Sequence, residues 1–227
     1  MQSFQRSLRV AFPLSLAGML GACVSPTMPL QTQDLNEFEG EAVNVRQETL
    51  PTFVASTPGN AAFGLVGALV SFSEGNELVA KNHISDPAGQ IGQSVSQRLM
   101  TEYGAVSGQT MVADDYDRDP EDIVAWAEEN EMTGLLVDVE STGWGFRNPP
   151  FSFSTYQVMY SGLVRVYDLE SGSVIAQHHC NLATPGETGY DDLVDDQAAG
   201  IKSRLADLAD LCANEVFDQA LQTASLE

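Results

Sequence analysis

The chain has 227 residues, 43% of them hydrophobic, and carries 32 Asp and Glu against 10 Lys and Arg, a formal net charge of −22 at pH 7. Such a surface repels phosphates, which excludes nucleic-acid partners and disfavours docking on anionic lipid head groups; an electrostatically steered partner must be basic or a divalent cation. The length is that of one ordinary domain, large enough to bury a core without staples.

Arg6 and Arg9 precede an apolar run from Val10 to Leu20, interrupted by Pro13, that ends in Leu20-Gly21-Ala22-Cys23. A positive flank, a short apolar stretch and small residues mark an export signal, and the run is too short to cross a bilayer as a helix. The four terminal residues resemble the lipobox of bacterial lipoproteins. That resemblance implies cleavage between Ala22 and Cys23, diacylglycerol on the Cys23 thiol, and acylation of the new amino group. Each buried methylene stabilises membrane association by about 0.8 kcal/mol, so two or three chains anchor firmly. Val24 stands where an Asp would retain such a protein at the inner membrane, so the resemblance places this one on the periplasmic face of the outer membrane. The competing reading of Cys23 is an ordinary thiol in a signal cut elsewhere. Residues 1–22 are expected to be signal peptide, 23–40 a flexible tether rich in Pro, Gln, Thr and acids, and 41–223 a single domain. Losing Arg6 and Arg9 with the signal takes the net charge to −24.

The elements follow in order. Glu41 to Arg46 suits a first strand, and Leu50 to Asn60, with Pro51 and Pro58, suits a loop. Ala61 to Phe72 is small and apolar; it predicts a helix packed closely on the core and continuing to Lys81, with a glycine-containing buried strand as the competitor. Asp86-Pro87 is a helix start, Ile91, Val95 and Leu99 form its inner face, and Gly104 ends it. Val106 to Ala113 is strand-like. Asp119-Pro120-Glu121-Asp122 repeats the start signal, with acids where the helix dipole favours them. Three strands follow, Leu135 to Thr142, Tyr156 to Tyr167 and Ser173 to Asn181, the last two joined by a turn at Asp168 to Gly172. In the first, Leu135, Val137 and Val139 face inward while Asp138 and Glu140 face water, the alternation of a sheet covered on one side.

Val194, Ala198, Ile201, Leu205, Leu208 and Cys212 are spaced alternately four and three apart, which places the Cys212 sulfur on the buried face of a long C-terminal helix. Val174, Ala176 and Cys180 share one strand face. With Cys23 acylated, Cys180 and Cys212 are the remaining pair in an oxidising compartment, and a disulfide between them is worth roughly 3 kcal/mol in the chain-entropy model; two inert buried thiols are the alternative.

The element order describes an α+β two-layer sandwich, a mainly antiparallel or mixed sheet backed by helices. It resembles the periplasmic domains of several envelope lipoproteins, including the curli secretion lipoprotein and lipoprotein activators of peptidoglycan synthases, in element order and lipobox alone.

Catalytic signatures are missing: Ser107 sits one place late for a nucleophile elbow, and neither a zinc helix nor a phosphate loop occurs. Asp115, Asp117 and Asp119 alternate like the first calcium ligands of an EF-hand, but Pro120 replaces the required Gly and Trp126 the bidentate Glu, so a solvated loop before a capped helix is expected, with no metal and no cofactor. His178, His179 and Cys180 alternate across a strand and cannot grip one ion. Gly143-Trp144-Gly145 suits a flexible strand end. The connection from Trp144 to Tyr156 invites a functional reading, since Trp144, Phe146, Phe151, Phe153 and Tyr156 are more aromatics than a turn needs. They either fold back to cap the open end of the sandwich or contact a partner. Two expectations follow: a non-catalytic, membrane-anchored lipoprotein that binds or scaffolds another envelope component, or a carrier of a small apolar or glycan ligand held between helix layer and sheet.

Overall fold

The computed structural model describes residues 27–30, 38–48, 51–113 and 119–222. The signal segment, the lipobox with Cys23, and Asp115 and Asp117 lie outside the described residues. Six strands form an open sheet: β1 (Ala42–Glu48), β2 (Phe53–Ala55), β3 (Val106–Ala113), β4 (Leu135–Arg147), β5 (Gln157–Asp168) and β6 (Ser173–Ala183). Their order is β3-β1-β4-β5-β6, with β2 paired to the far half of β4. The sheet is mixed. The β3-β1-β4 and β2-β4 pairings are parallel, and the β4-β5-β6 meander is antiparallel.

One face is covered by α2 (Gly64–Asn82), α3 (Pro87–Tyr103) and α5 (Tyr190–Val216), with the short α1 (Pro58–Ala61) leading into α2. The starts and stops expected for α3 hold in detail. The Asp86 side chain accepts the Ala88 N–H at 2.8 Å, Pro87 occupies the first turn, and Gly104 closes the helix at φ 72°. Ile91, Val95 and Leu99 are fully buried against Val45, Val137 and Val139, each worth about 1.5–3 kcal/mol. On α5 the Ile201, Leu205, Leu208 and Cys212 stripe lies in the same core. Cys180 and Cys212 are joined, with 5.6 Å between their Cα atoms, so the disulfide pins α5 to β6.

The structure corrects the sequence reading in four places. First, α5 is two helical pieces: Asp196, Gln197 and Ala198 take φ of 51°, 57° and 58°, so the repeat from Val194 to Ala198 is interrupted. Second, the expected loop before Asn60 contains β2 and α1. The capping box of Thr57 and Asn60, with Asn60 Nδ2 also donating to the Ala55 carbonyl at 3.0 Å, supplies the local reason.

Third, the segment expected to tether the domain is partly docked. Met28 pairs with Gln177, Leu30 N–H donates to the Ala220 carbonyl at 2.8 Å, and Leu30 and Phe38 are buried. Fourth, Asp138 and Glu140 are not wetted. Helix α4 (Pro120–Glu129) lies on this second face, where Ile123, Ala127 and Met132 bury Leu136 and Tyr167. Beside them Asp138 and Glu140 sit in an ion network with Arg46, Glu48 and Arg165.

Candidate functional site

The end of the sheet toward which β4 runs is built from four segments. Trp144, Gly145 and Phe146 close β4 and pair with Phe53, Val54 and Ala55 of β2. A side chain at Gly145 would stand 2.2 Å from the Val54 carbonyl oxygen, and one at Gly75 of α2 would stand 2.0 Å from that of Phe53. β2 therefore fits between sheet and helix because a glycine makes room on each side. This is the reason for Gly145 in the Gly143-Trp144-Gly145 pattern, which sequence alone suggested was a flexible strand end.

Of the five aromatics for which sequence left capping and partner contact open, three are interior. Trp144 is buried with its ring edge-on to Phe53 at 4.9 Å, and its indole N–H donates to the Pro51 carbonyl at 2.7 Å. The Phe146 and Tyr156 ring centroids lie 5.6 Å apart, and 6.1 and 5.6 Å from that of Tyr190. These three cap the open end of the sandwich, and a partner cannot reach them.

Phe151 and Phe153 do the opposite. They are 99% and 80% exposed. The turn that presents them is internally tied: Ser152 N–H donates to the Pro149 carbonyl at 3.1 Å, Ser152 and Thr155 hydroxyls meet at 2.7 Å, and Asn148 Nδ2 donates to the Thr155 carbonyl at 2.7 Å. Phe151 is held at φ 66°, a left-handed conformation that an aromatic residue adopts at a cost.

Beside this turn in the topology lies a second exposed apolar group, at the start of the helix that sequence predicted to pack closely on the core. On α2 the inward positions are Gly67, Ser71 and Gly75, while Leu65, Val66 and Leu69, with Phe63 just before the helix, are between 66% and 88% exposed. Small residues were correctly assigned to close packing. Sequence did not say on which side their large neighbours would fall.

Other polar clusters are accounted for within the fold. Ser141 hydroxyl donates to Asp86 at 2.6 Å and stands 3.0 Å from the Tyr160 hydroxyl, fastening the start of α3 to β4. Burial pushes the Asp86 carboxyl above its usual range, and it pushes the Tyr160 phenol up further. Burial, then the nearby Glu140 charge, raises Glu48 as well. For Arg46 the burial penalty is outweighed by Asp138 and Glu48, which hold the guanidinium charged.

His178 shares the Cys180 face as expected, with Nδ1 3.2 Å from Thr27 Oγ1 and Nε2 3.5 Å from Glu215. His178, Cys180 and Glu215 come close enough to hold an ion, but the Cys180 sulfur is bonded to Cys212. A groove of about 1110 Å³ opens between α3, α5 and the end of β1, with Glu48, Asp86 and Lys202 in a mixed lining. No helix among the described residues is long and apolar enough to cross a membrane.

No family model matches the chain, and no curated protein matches it. Among solved structures the fold is similar to the PelC dodecamer from Paraburkholderia phytofirmans, at 11% identity over 80% of this chain and 89% of that one, TM-score 0.38. Protein XCC0632 from Xanthomonas campestris, of the DUF330 family, shares 11% identity over 85% and 91% of the two chains, TM-score 0.38. The hypothetical protein CT253 from Chlamydia trachomatis shares 11% over 79% and 95%, TM-score 0.35. The likeness is confined to the course of the chain, and what defines this molecule is an open mixed sheet backed by helices, of α+β class.

Proposed function

We propose that this chain is a lipid-anchored, non-catalytic envelope protein whose folded domain binds or scaffolds another envelope component through the apolar end of its sheet. The observation that carries the reading is Phe151, fully exposed and held in a strained backbone conformation by the hydrogen bonds of its own turn. Strain retained at an exposed aromatic is a cost that folding alone does not require. The export signal and the Cys23 motif support an envelope location on the periplasmic face of the outer membrane.

Ser141 joins Asp86 and Tyr160, and Asp138 joins Arg46 and Arg165, so these buried polar groups fasten elements of the fold together, which supports a binding role over a catalytic one. In-cell crosslinking followed by mass spectrometry, on wild type and on Phe151→Ala/Phe153→Ala, tests the reading, with acylation of Cys23 scored in the same samples. Acylated Cys23 and capture of an envelope component that drops in the variant are the expected results. Capture unchanged by the variant overturns the contact surface, and an unmodified Cys23 overturns the anchor.

A further inference from the structure

Two independent features point to one end of the sheet. The first is charge and exposure. No Asp, Glu, Lys or Arg occurs between Glu48 and Glu74 in a chain whose net charge is −22, and within that stretch Phe63, Leu65, Val66 and Leu69 are exposed. Because β2 runs parallel to β4 and Ser56 N–H donates to the Phe146 carbonyl at 2.9 Å, α1 and the start of α2 lie at the end where the Phe151 turn emerges.

The second feature is the path of the N-terminal chain. Met28 is antiparallel to Gln177, exchanging backbone hydrogen bonds of 2.8 and 2.9 Å. Followed backward from Leu30 to Thr27, the chain therefore travels as β6 does from Gln177 to Ala183. Ala183 is opposite Met159, and Met159 opposite Gly145, at the same apolar end. The six steps along the strand from Gln177 to Ala183 cover about 20 Å. Cys23 precedes Met28 by five residues and so lies within roughly 18 Å of it. The described chain from Leu30 to Thr27 is thus directed toward that end, and five residues of chain are too few to let the domain move far from an anchor at Cys23.

We propose that the apolar end, Phe63, Leu65, Val66 and Leu69 with Phe151 and Phe153, rests in the head-group and upper acyl region of the membrane that holds the Cys23 lipids. This rests on the lipid-anchored reading and names the bound envelope component as the bilayer itself. The anchor makes binding of the apolar group effectively intramolecular, so a modest patch is enough to orient the domain. Glu74, Glu77, Asp191 and Asp192, toward the same end, select zwitterionic over anionic head groups. They also oppose a second copy, which would bring the same charges to the contact.

The test uses the full acylated chain, purified from membranes and reconstituted in vesicles of phosphatidylethanolamine and phosphatidylcholine carrying a photoreactive acyl chain, with labelled sites mapped by mass spectrometry. Label is expected on residues 61–73 and on Phe151 and Phe153, and is expected to fall at both in Leu65→Glu/Leu69→Glu with Cys23 still acylated. Leu65→Asn, at the most exposed of these positions, gives the same readout if the double variant misfolds. Acylated Cys23 without label on 61–73 overturns the bilayer contact and leaves the anchor standing. An unacylated Cys23 overturns both. Crosslinks from 61–73 to a second copy or another protein in place of lipid overturn the bilayer as occupant.

Discussion

Arg46 and Asp138 stand 2.8 Å apart on the second face of the sheet, with neither side chain exposed. The other oxygen of Asp138 takes Arg165 at 2.9 Å, so one carboxylate on β4 bridges guanidinium groups from the strands on either side of it. Removing one partner of such a pair leaves uncompensated buried charge, which costs about 3–5 kcal/mol. Asp138→Ala is therefore expected to lose stability of that size in urea unfolding followed by far-UV circular dichroism. A loss under about 1 kcal/mol, the range of exposed ion pairs, would mean that water reaches the network.

Exposed and interior aromatics of the same connection should separate cleanly. Phe151→Ala/Phe153→Ala is expected to change stability by no more than about 0.5 kcal/mol, since neither ring is buried. Phe146→Ala, by contrast, removes the ring shared by Phe53, Tyr156 and Tyr190 and should cost about 3–5 kcal/mol. Thermal melts of the two variants, run side by side, decide it.

Gly75→Ala reverses a familiar rule. In a free helix the change stabilises by about 1 kcal/mol, but here the new methyl would press on the Phe53 carbonyl oxygen. The variant should be less stable than wild type, with protection lost in hydrogen exchange at β2. A gain in melting temperature would show that α2 can lift off β2 without cost.

The Cys180–Cys212 bond closes a long loop between β6 and the last helix. Replacing both cysteines by Ala is expected to lower unfolding free energy by roughly 3 kcal/mol, and reducing the wild type should give a comparable loss. Equal midpoints for oxidised and reduced protein in guanidinium would rule out a structural contribution.

Asp86 gives a pH dependence with a definite sign. Burial raises its carboxyl pKa despite hydrogen bonds from Ala88 and Ser141. The folded state then binds more proton than the unfolded one, so this group's contribution to stability is greatest at low pH. It is lost as pH rises from the unfolded value, about 3.9, through the folded one. Asp86→Asn keeps an acceptor for Ala88 and removes the titration. Urea midpoints at about pH 4 and about pH 7 should move in the variant's favour with rising pH; movement the other way would show that the cap stabilises the carboxylate.

Local patterns carried far in this chain. Asp86-Pro87 with Gly104 marked α3 almost to the residue through its cap, and Asp119-Pro120 marked the start of α4 through the proline in its first turn, without a side-chain cap bond, because both signals depend only on neighbours along the chain. The Ile201 to Cys212 spacing and the strand face of Cys180 brought the two sulfurs to one layer for the same reason. The hairpin of β5 and β6 was legible in its glycine turn, and β3 in its bounds.

What lay beyond the sequence depended on which elements meet. Asp138 and Glu140 alternate like surface residues, and only the arrival of Arg46 from β1 and Arg165 from β5 makes their burial possible. The small residues of α2 signalled close packing, but the side that packs was set by the backbone of Asn60 in α1 against Gly67 and of Phe53 in β2 against Gly75, which leaves Leu65, Val66 and Leu69 outward. Composition counts five aromatics between Trp144 and Tyr156. The tertiary structure divides them into three that cap the sheet and two that face outward, because Phe53 and Tyr190, distant in sequence, fill the space beside the former and nothing among the described residues covers Phe151 or Phe153. Length, charge and the start of α3 with its glycine stop were thus legible from the chain alone. The direction in which the apolar end faces was decided by strand pairing, since parallel β2 and the antiparallel Met28 segment gather pieces of chain that no local pattern relates.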